Sequence, residues 1–400
     1  MNRPALNNYW LHVCEGVIYI SGICFIAYET IMPKIIDALG GAPWTISLAP
    51  TLMILGSALP SVLVAGYSDR LPRKKRFVMI NCVGQRLPYF LLVPLLLWLD
   101  DDHVLVWCVM GAVFVSGVFT GILAPAWFQF VANTVPNRYI PRLFSFRFGL
   151  AAVAGIFIGL LVKSILKNYP GNTGFALLFL AAGMLTMSSL FFLSKIREPV
   201  KCGKAAQKNE IPPTYREVIG QRDIILFIIV RGFYCGIYIG LAFIPIRVCQ
   251  VLELDNSWLG IFAMTVVCGS IAGNVFTSFW THRFSWRSCQ LIGLCGYLLT
   301  FLLCLFCRHM AVAVMIFFIM GFSRDVWSSV SSALMLSLPG KRLRSKGTAL
   351  ISIAMAPPLI LAGLAGAALF SRFNSYNLLF ICAALMMLPA IYFSRKLPAK

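Results

Sequence analysis

Twelve apolar runs set the pattern of the chain, at residues 11–36, 46–66, 77–99, 104–126, 143–166, 173–193, 223–247, 257–280, 287–307, 310–335, 346–370 and 375–394. Each is about as long as the ~20 residues a helix needs to cross the hydrocarbon layer of a bilayer. Peptide groups find no water there, and a helix satisfies its own N–H and C=O groups. The pattern predicts an all-α membrane protein with twelve spans and short connections. The longest polar stretch, Ser194–Arg222, follows the sixth run. It divides the chain into a six-helix bundle over 1–193, a cytoplasmic linker over 194–222 and a second six-helix bundle over 223–400.

Composition agrees with the pattern. Of 400 residues 59% are hydrophobic and 12% charged, against roughly 25% charged in soluble domains. The net charge of +20 is explained by where the basic residues fall. With both termini cytoplasmic, 25 Lys/Arg lie in inner loops and ends, 6 lie outside, and Arg86, Arg231 and Arg324 fall within spans. Basic loops stay in the cytoplasm, so this bias predicts the orientation, with Asp100, Asp101 and Asp102 outside. The charge is thereby assigned to the anionic face of a lipid bilayer and not to nucleic acid. Met1–Leu11 lacks a basic region followed by a short apolar core and a cleavage site, so the first helix is expected to be retained. The 13 cysteines are scattered, mostly in apolar runs, and read as small buried side chains.

The loop between the second and third runs carries the most specific motif, Gly66-Tyr-Ser-Asp69-Arg70-Leu-Pro72-Arg73-Lys74-Lys75-Arg76. It resembles the loop between helices 2 and 3 of the major facilitator superfamily, Gly-x-x-x-Asp-Arg-x-Gly-Arg-Lys/Arg, at Gly66, Asp69, Arg70, Arg73 and Lys74. Pro72 stands where the pattern has its second glycine. The resemblance implies two pseudo-symmetric six-helix bundles around a central cavity, a monomer, and spans 1, 4, 7 and 10 facing the solute. It also implies a conformational latch in this loop, with Asp69 set against the start of span 11 near Ser345–Gly347. Family members often place an acid at the inner end of span 4, and no Asp or Glu occurs between Ala124 and Arg147. Weak internal echoes support a duplication. Val135-Pro136 through Arg142 is echoed by Leu338-Pro339 through Arg344, and Thr281–Arg287 occupies the place of the motif loop without its acid or glycines.

An ionised side chain within a bilayer costs about 2.5–3.5 kcal/mol on insertion scales, so each one needs a reason. Glu29 lies four residues before Pro33 in span 1. Desolvation disfavours its charged form, and it is a candidate proton carrier. The competing reading is a rim glutamate paired with Lys34. Arg324 and Asp325 are neighbours in span 10 and point about 100° apart on a helix. Arg324 therefore seeks a substrate anion or Glu29, and Asp325, the second candidate proton-coupling group, seeks Arg231; a fixed interhelical ion pair is the alternative. Arg231, Tyr234 and Tyr238 form one face of span 7. With Arg324, Trp327, Trp127 and Gln129 they make the candidate substrate cavity, although Trp127 also suits an interfacial anchor. Glu15 lies nearer the inner end of span 1, and Arg86 in span 3 reads as a brace between helices. Glycines 149, 155 and 159 in span 5 and 347, 363 and 366 in span 11, with Pro357-Pro358, suit close packing or bending where the halves meet.

These features point to a secondary active transporter of the plasma (inner) membrane. It would move a small organic solute, with buried arginines hinting at an anion, by alternating access coupled to protons. A drug or metabolite efflux antiporter is the alternative, although span 4 lacks an arginine and span 5 a Gly-Pro pair. A membrane-embedded enzyme is disfavoured, since the four histidines, at 12, 103, 282 and 309, lie near span ends on alternate sides. Neither metal-ligand spacing nor a phosphate-binding Gly-x-x-x-x-Gly-Lys-Ser/Thr loop occurs, and no cofactor is expected.

Overall fold

The structure, a computed structural model, describes residues 3–136, 139–198, 215–280, 285–339, 347 and 350–397. It is helical, with no strand among the described residues. In chain order the helices are α1 (Arg3–Cys24), α2 (Ile31–Ala38), α3 (Pro43–Leu48), α4 (Leu52–Arg70), α5 (Lys75–Trp98), α6 (Asp102–Thr134), α7 (Ile140–Asn168) and α8 (Asn172–Lys195). They continue with α9 (Tyr215–Ile219), α10 (Arg222–Tyr234), α11 (Ile244–Val251), α12 (Trp258–Trp280), α13 (Trp286–Leu305), α14 (Met310–Ser337), α15 (Ala356–Phe373) and α16 (Tyr376–Ser394).

Ten stretches among the described residues are long and apolar enough to cross a membrane, covering runs three to twelve. Their outward faces, and that of α4, keep large apolar side chains such as Leu63, Phe157, Phe191 and Leu361 exposed. Such surface is costly in water and stable in lipid. The first two runs are interrupted. The first is α1 followed by a turn and then α2, and the second is α3 and α4. Proline supplies the reason. In an unbroken helix the ring of Pro33 would collide with the carbonyl of Glu29, whereas in the first turn of α2 it is tolerated. Pro43 opens α3 in the same way. Span 7 is interrupted at the corresponding place: α10 gives way to 3-10 turns at Cys235–Ile239 and Leu241–Phe243, and α11 restarts with Pro245 in its first turn. Pro33 and Pro245 are 212 positions apart.

The chain packs as two compact units. The first holds Met1–Ala27, Ala38–Gly40 and Leu52–Glu210; the second holds Tyr28–Asp37, Gly41–Thr51 and Ile211–Lys400. In the first unit α1 packs on α7 and α8, α5 on α6 and α8, and α4 on α6. In the second, α12 and α13 pack on α14, α13 and α10 on α16, and α3 on α15. The Ser47 hydroxyl donates to the Gly363 carbonyl at 2.7 Å, fixing α3 to α15.

Glycine governs the closest helix pairs, at expected positions such as Gly366, where a Cβ would run into the Ile239 carbonyl oxygen, and at others besides. A Cβ at Gly321 would run into the Val266 carbonyl oxygen, and one at Gly269 would run into that of Phe318. Backbone therefore meets backbone between α12 and α14. Gly149, in span 5, has open space where its Cβ would be. Gly321→Val should cost about 1–3 kcal/mol by forcing α12 and α14 apart. Gly149→Ala should stabilise by up to ~1 kcal/mol through helix propensity. Thermal unfolding of the two purified variants checks the contrast, and equal shifts would refute it.

Candidate functional sites

The break in span 1 places Glu29 on the turn between α1 and α2. Within the second unit its Oε2 accepts from Arg324 Nη1 of α14 at 2.8 Å. Lys34 pairs instead with Asp37, at 2.6 Å, so the rim-pair reading of Glu29 is replaced by the Arg324 contact. Arg324 also donates through Nε to Asp325 Oδ1 at 3.3 Å and through Nη2 to Ser270 Oγ at 2.7 Å. Adjacent Cβ directions diverge, but the long arginine stem curls back and meets its neighbour. Asp325 Oδ2 accepts from Asn274 Nδ2 at 3.0 Å. Two carboxylates thus share one guanidinium, and the cluster carries one negative charge in excess. The side chains of Arg324, Glu29 and Asp325 are 33%, 24% and 23% exposed, open enough to exchange a proton or meet a solute.

The expected Asp325–Arg231 pair does not form. Arg231 donates to the sulfur of Met335 at 3.5 Å and lies over the Phe227 ring at 5.6 Å. Tyr234 stacks on Trp327 with ring centroids 4.2 Å apart, and its hydroxyl donates to that of Tyr297 at 3.4 Å. Tyr238, on the 3-10 turn after α10, shares its electrostatic surroundings with Glu29, Tyr234 and Arg324. Five of the seven expected cavity residues therefore belong to the second unit. Trp127 and Gln129, on α6, belong to the first.

In the first unit Trp127 leads to a second charged cluster, which the sequence presents only as separate pieces. Glu15 of α1 accepts from Arg86 Nη2 of α5 at 3.0 Å and from Arg147 Nη1 of α7 at 2.9 Å. All three side chains are at most 6% exposed. Arg147, counted among the cytoplasmic loop charges, is buried. It also donates to the His12 carbonyl at 3.0 Å, and its guanidinium lies 4.9 Å from the centre of the Trp127 ring. Trp127, partly buried, is thus held against a cation and the Phe144 ring. The balance here is opposite to that at Glu29, with two guanidiniums for one carboxylate.

The basic loop has its own acid. Glu198, just past α8, accepts through Oε2 from the backbone N–H groups of Lys74 and Lys75, each at 2.9 Å. It thereby caps the start of α5, where a carboxylate also suits the helix dipole. Lys74 is buried and donates to the Ser68 and Leu71 carbonyls at the end of α4. Arg73 is exposed. Gly66, Asp69 and Arg70 lie in the last turns of α4, but the side chains of Asp69 and Arg70 and the expected contact near Ser345–Gly347 lie outside the described residues. The acid of this corner therefore comes from the end of span 6, not from span 4, and it meets amides, not Arg73. Glu198→Ala should cost about 1 kcal/mol, as lost helix caps do. An unchanged thermal midpoint would show that the cap is idle.

The family model of the Major Facilitator Superfamily matches residues 17–363. No curated protein sequence matches the chain. Among solved structures, a mutant form of the nucleoside transporter NupG superposes with a TM-score of 0.74 at 11% identity, covering 97% of this chain and 99% of that one. A D-xylose–proton symporter gives 0.74 at 16% identity, covering 99% and 98%. A POT family transporter in complex with a thioalcohol-conjugated peptide gives 0.70 at 12% identity, covering 99% and 96%. At these identities the likeness is one of fold.

Proposed function

We propose, starting from the fact that this chain belongs to the major facilitator superfamily, that it is a secondary transporter moving a small organic solute by alternating access, driven by protons. The observation that carries the reading is the Glu29–Arg324–Asp325 cluster. It is a partly exposed group of charged side chains, Glu29 on the unwound stretch of span 1 and Arg324 and Asp325 on α14, where a purely structural pair gains nothing from exposure. Its excess negative charge is what a transported proton would neutralise. Transporters of this kind bind solute near the midplane, where broken helices offer free backbone groups. The solved relatives named above are described as a nucleoside transporter, a xylose–proton symporter and a peptide-binding transporter. They support a solute of that size. We place the protein in the plasma (inner) membrane as a monomer with both termini cytoplasmic. On this reading the halves 1–193 and 223–400 are joined by a 194–222 linker, and the Asp69 loop latches the inner side.

The test is reconstitution of the full chain into proteoliposomes with a panel of radiolabelled nucleosides, sugars, peptides and organic acids, with and without an imposed pH gradient. Accumulation against a concentration gradient that collapses with a protonophore supports the proposal. Turnover of solute without flux, or flux indifferent to the pH gradient, would sink it.

A further inference from the structure

The first unit contains a cavity of about 460 Å³ whose walls are mostly apolar. Ligand pockets commonly span ~300–1,000 Å³. Glu15, Arg86 and Arg147 form its charged side, and Trp127, Phe144 and Phe148 form an aromatic wall. Trp127 meets Phe144 edge-on at 5.9 Å, and Phe144 stacks with Phe148 at 6.1 Å. We infer that this cavity is a binding site for an amphipathic organic anion, with one ionised acid group on an aromatic or apolar body.

Two independent observations carry this. The first is charge. No Asp or Glu occurs in residues 38–68, 70–99 or 103–197, so Glu15 is the single acid available within the spans of this unit. Two guanidiniums against one carboxylate leave a surplus of one positive charge in a buried, mostly apolar place. Such a charge is expensive unless a counter-charge joins it. The second is hydrogen bonding. Arg86 is 1% exposed, and its Nε and Nη1 have no hydrogen-bond partner. The Nε–H and the two Nη1–H groups are thus unspent among the described residues. Each of the two carboxylate-matching faces of the guanidinium combines one of them with Nη2, which gives one of its own two N–H groups to Glu15. Gln85 and Thr120, bonded to each other at 2.7 Å, add neutral polar groups to the same lining. An acid group at Arg86 supplies the missing charge and acceptors together, while the aromatic wall takes the body of the molecule. A neutral solute can supply acceptors but not the charge. As the solute site of a carrier this deepens the transporter reading and rests on it; binding of the anion does not.

The probe is 2-naphthoate, with 2-naphthamide as its neutral twin, titrated calorimetrically into the full chain in lipid nanodiscs. Naphthoate should bind at least ~10-fold more tightly than the amide, as a charge-assisted contact to a buried guanidinium requires. Arg86→Gln should erase that preference while leaving amide affinity within about twofold, and Arg86→Lys should keep part of it. A merely structural role for Arg86 would move both ligands together. Equal affinities in the unmodified protein, or a preference that survives Arg86→Gln, overturn the inference. Should Arg86→Gln fail to fold, the naphthoate-to-amide ratio of the unmodified protein decides alone. Naphthoate preference in a protein that moves no solute would sink the transporter reading and keep this site. Proton-driven flux of a panel solute without naphthoate preference would do the reverse.

Discussion

Glu29→Gln should abolish proton-driven accumulation while leaving solute exchange across the membrane measurable. Glu29 and Asp325 share Arg324, at 2.8 and 3.3 Å. With two carboxylates set against one guanidinium, a proton added to either carboxylate leaves a neutral pair behind. The side-chain amide that replaces the carboxylate still accepts from Arg324, so the turn between α1 and α2 keeps its anchor. What is lost is the site where a proton alters the charge. Transport by exchange needs no net proton movement and continues. Accumulation is then limited to equilibration, a loss of at least ~10-fold where the pH gradient would supply about 1.4 kcal/mol or more. Asp325→Asn should show a weaker form of the same defect, since Asn274 also holds that side chain. If Glu29→Gln protein still concentrates solute against its gradient, the proton is carried elsewhere.

Glu15→Gln is expected to be the most destabilising single change in the first unit. Its carboxylate accepts from both Arg86 and Arg147, and its side chain is 3% exposed. Removing that charge leaves two buried guanidiniums facing each other without a counter-ion. Breaking a buried pair by deleting one partner costs roughly 3–5 kcal/mol, enough to consume much of a domain's stability. Arg86→Gln, by contrast, leaves a neutral Glu15–Arg147 pair and should cost far less. Thermal unfolding of the two variants in one detergent is the check. A Glu15→Gln protein as stable as Arg86→Gln would mean that Glu15 is not the counter-ion of both arginines.

Much of the architecture could be read from apolar runs, because a membrane span must be long and oily whatever it packs against. Ten runs became span candidates. The interruptions were harder to see. Phe25 and Ile26, on the turn after α1, are as apolar as a helix core and fully hidden, so hydropathy runs straight through them. The usable signal was proline: Pro33 and Pro245 recur at nearly the spacing of the internal echoes. Charged positions within spans pointed to Glu29 and Arg324, yet spacing alone leaves their partners open. Glu15 and Arg147 are 132 positions apart, and only packing of α1 against α7 brings them together. Arg147 looked like a loop cation because it stands a few residues into span 5. Glu198 looked like linker because nothing in its neighbourhood reveals that α5 begins beside it.

The short helices α2 and α3 bear on how this protein is built and dissected. At 8 and 6 residues they are too brief to persist on their own. Both sit, with Glu29, in the unit that otherwise begins at Ile211. A gene cut at the linker would therefore yield a carboxy-terminal fragment that keeps Asp325 but lacks Glu29, the other counter-ion of Arg324, and the Ser47 hydroxyl that anchors Gly363. Co-expressed halves have to reassemble by threading those early residues into place. On this packing the later unit is completed by parts of the chain that are made long before it.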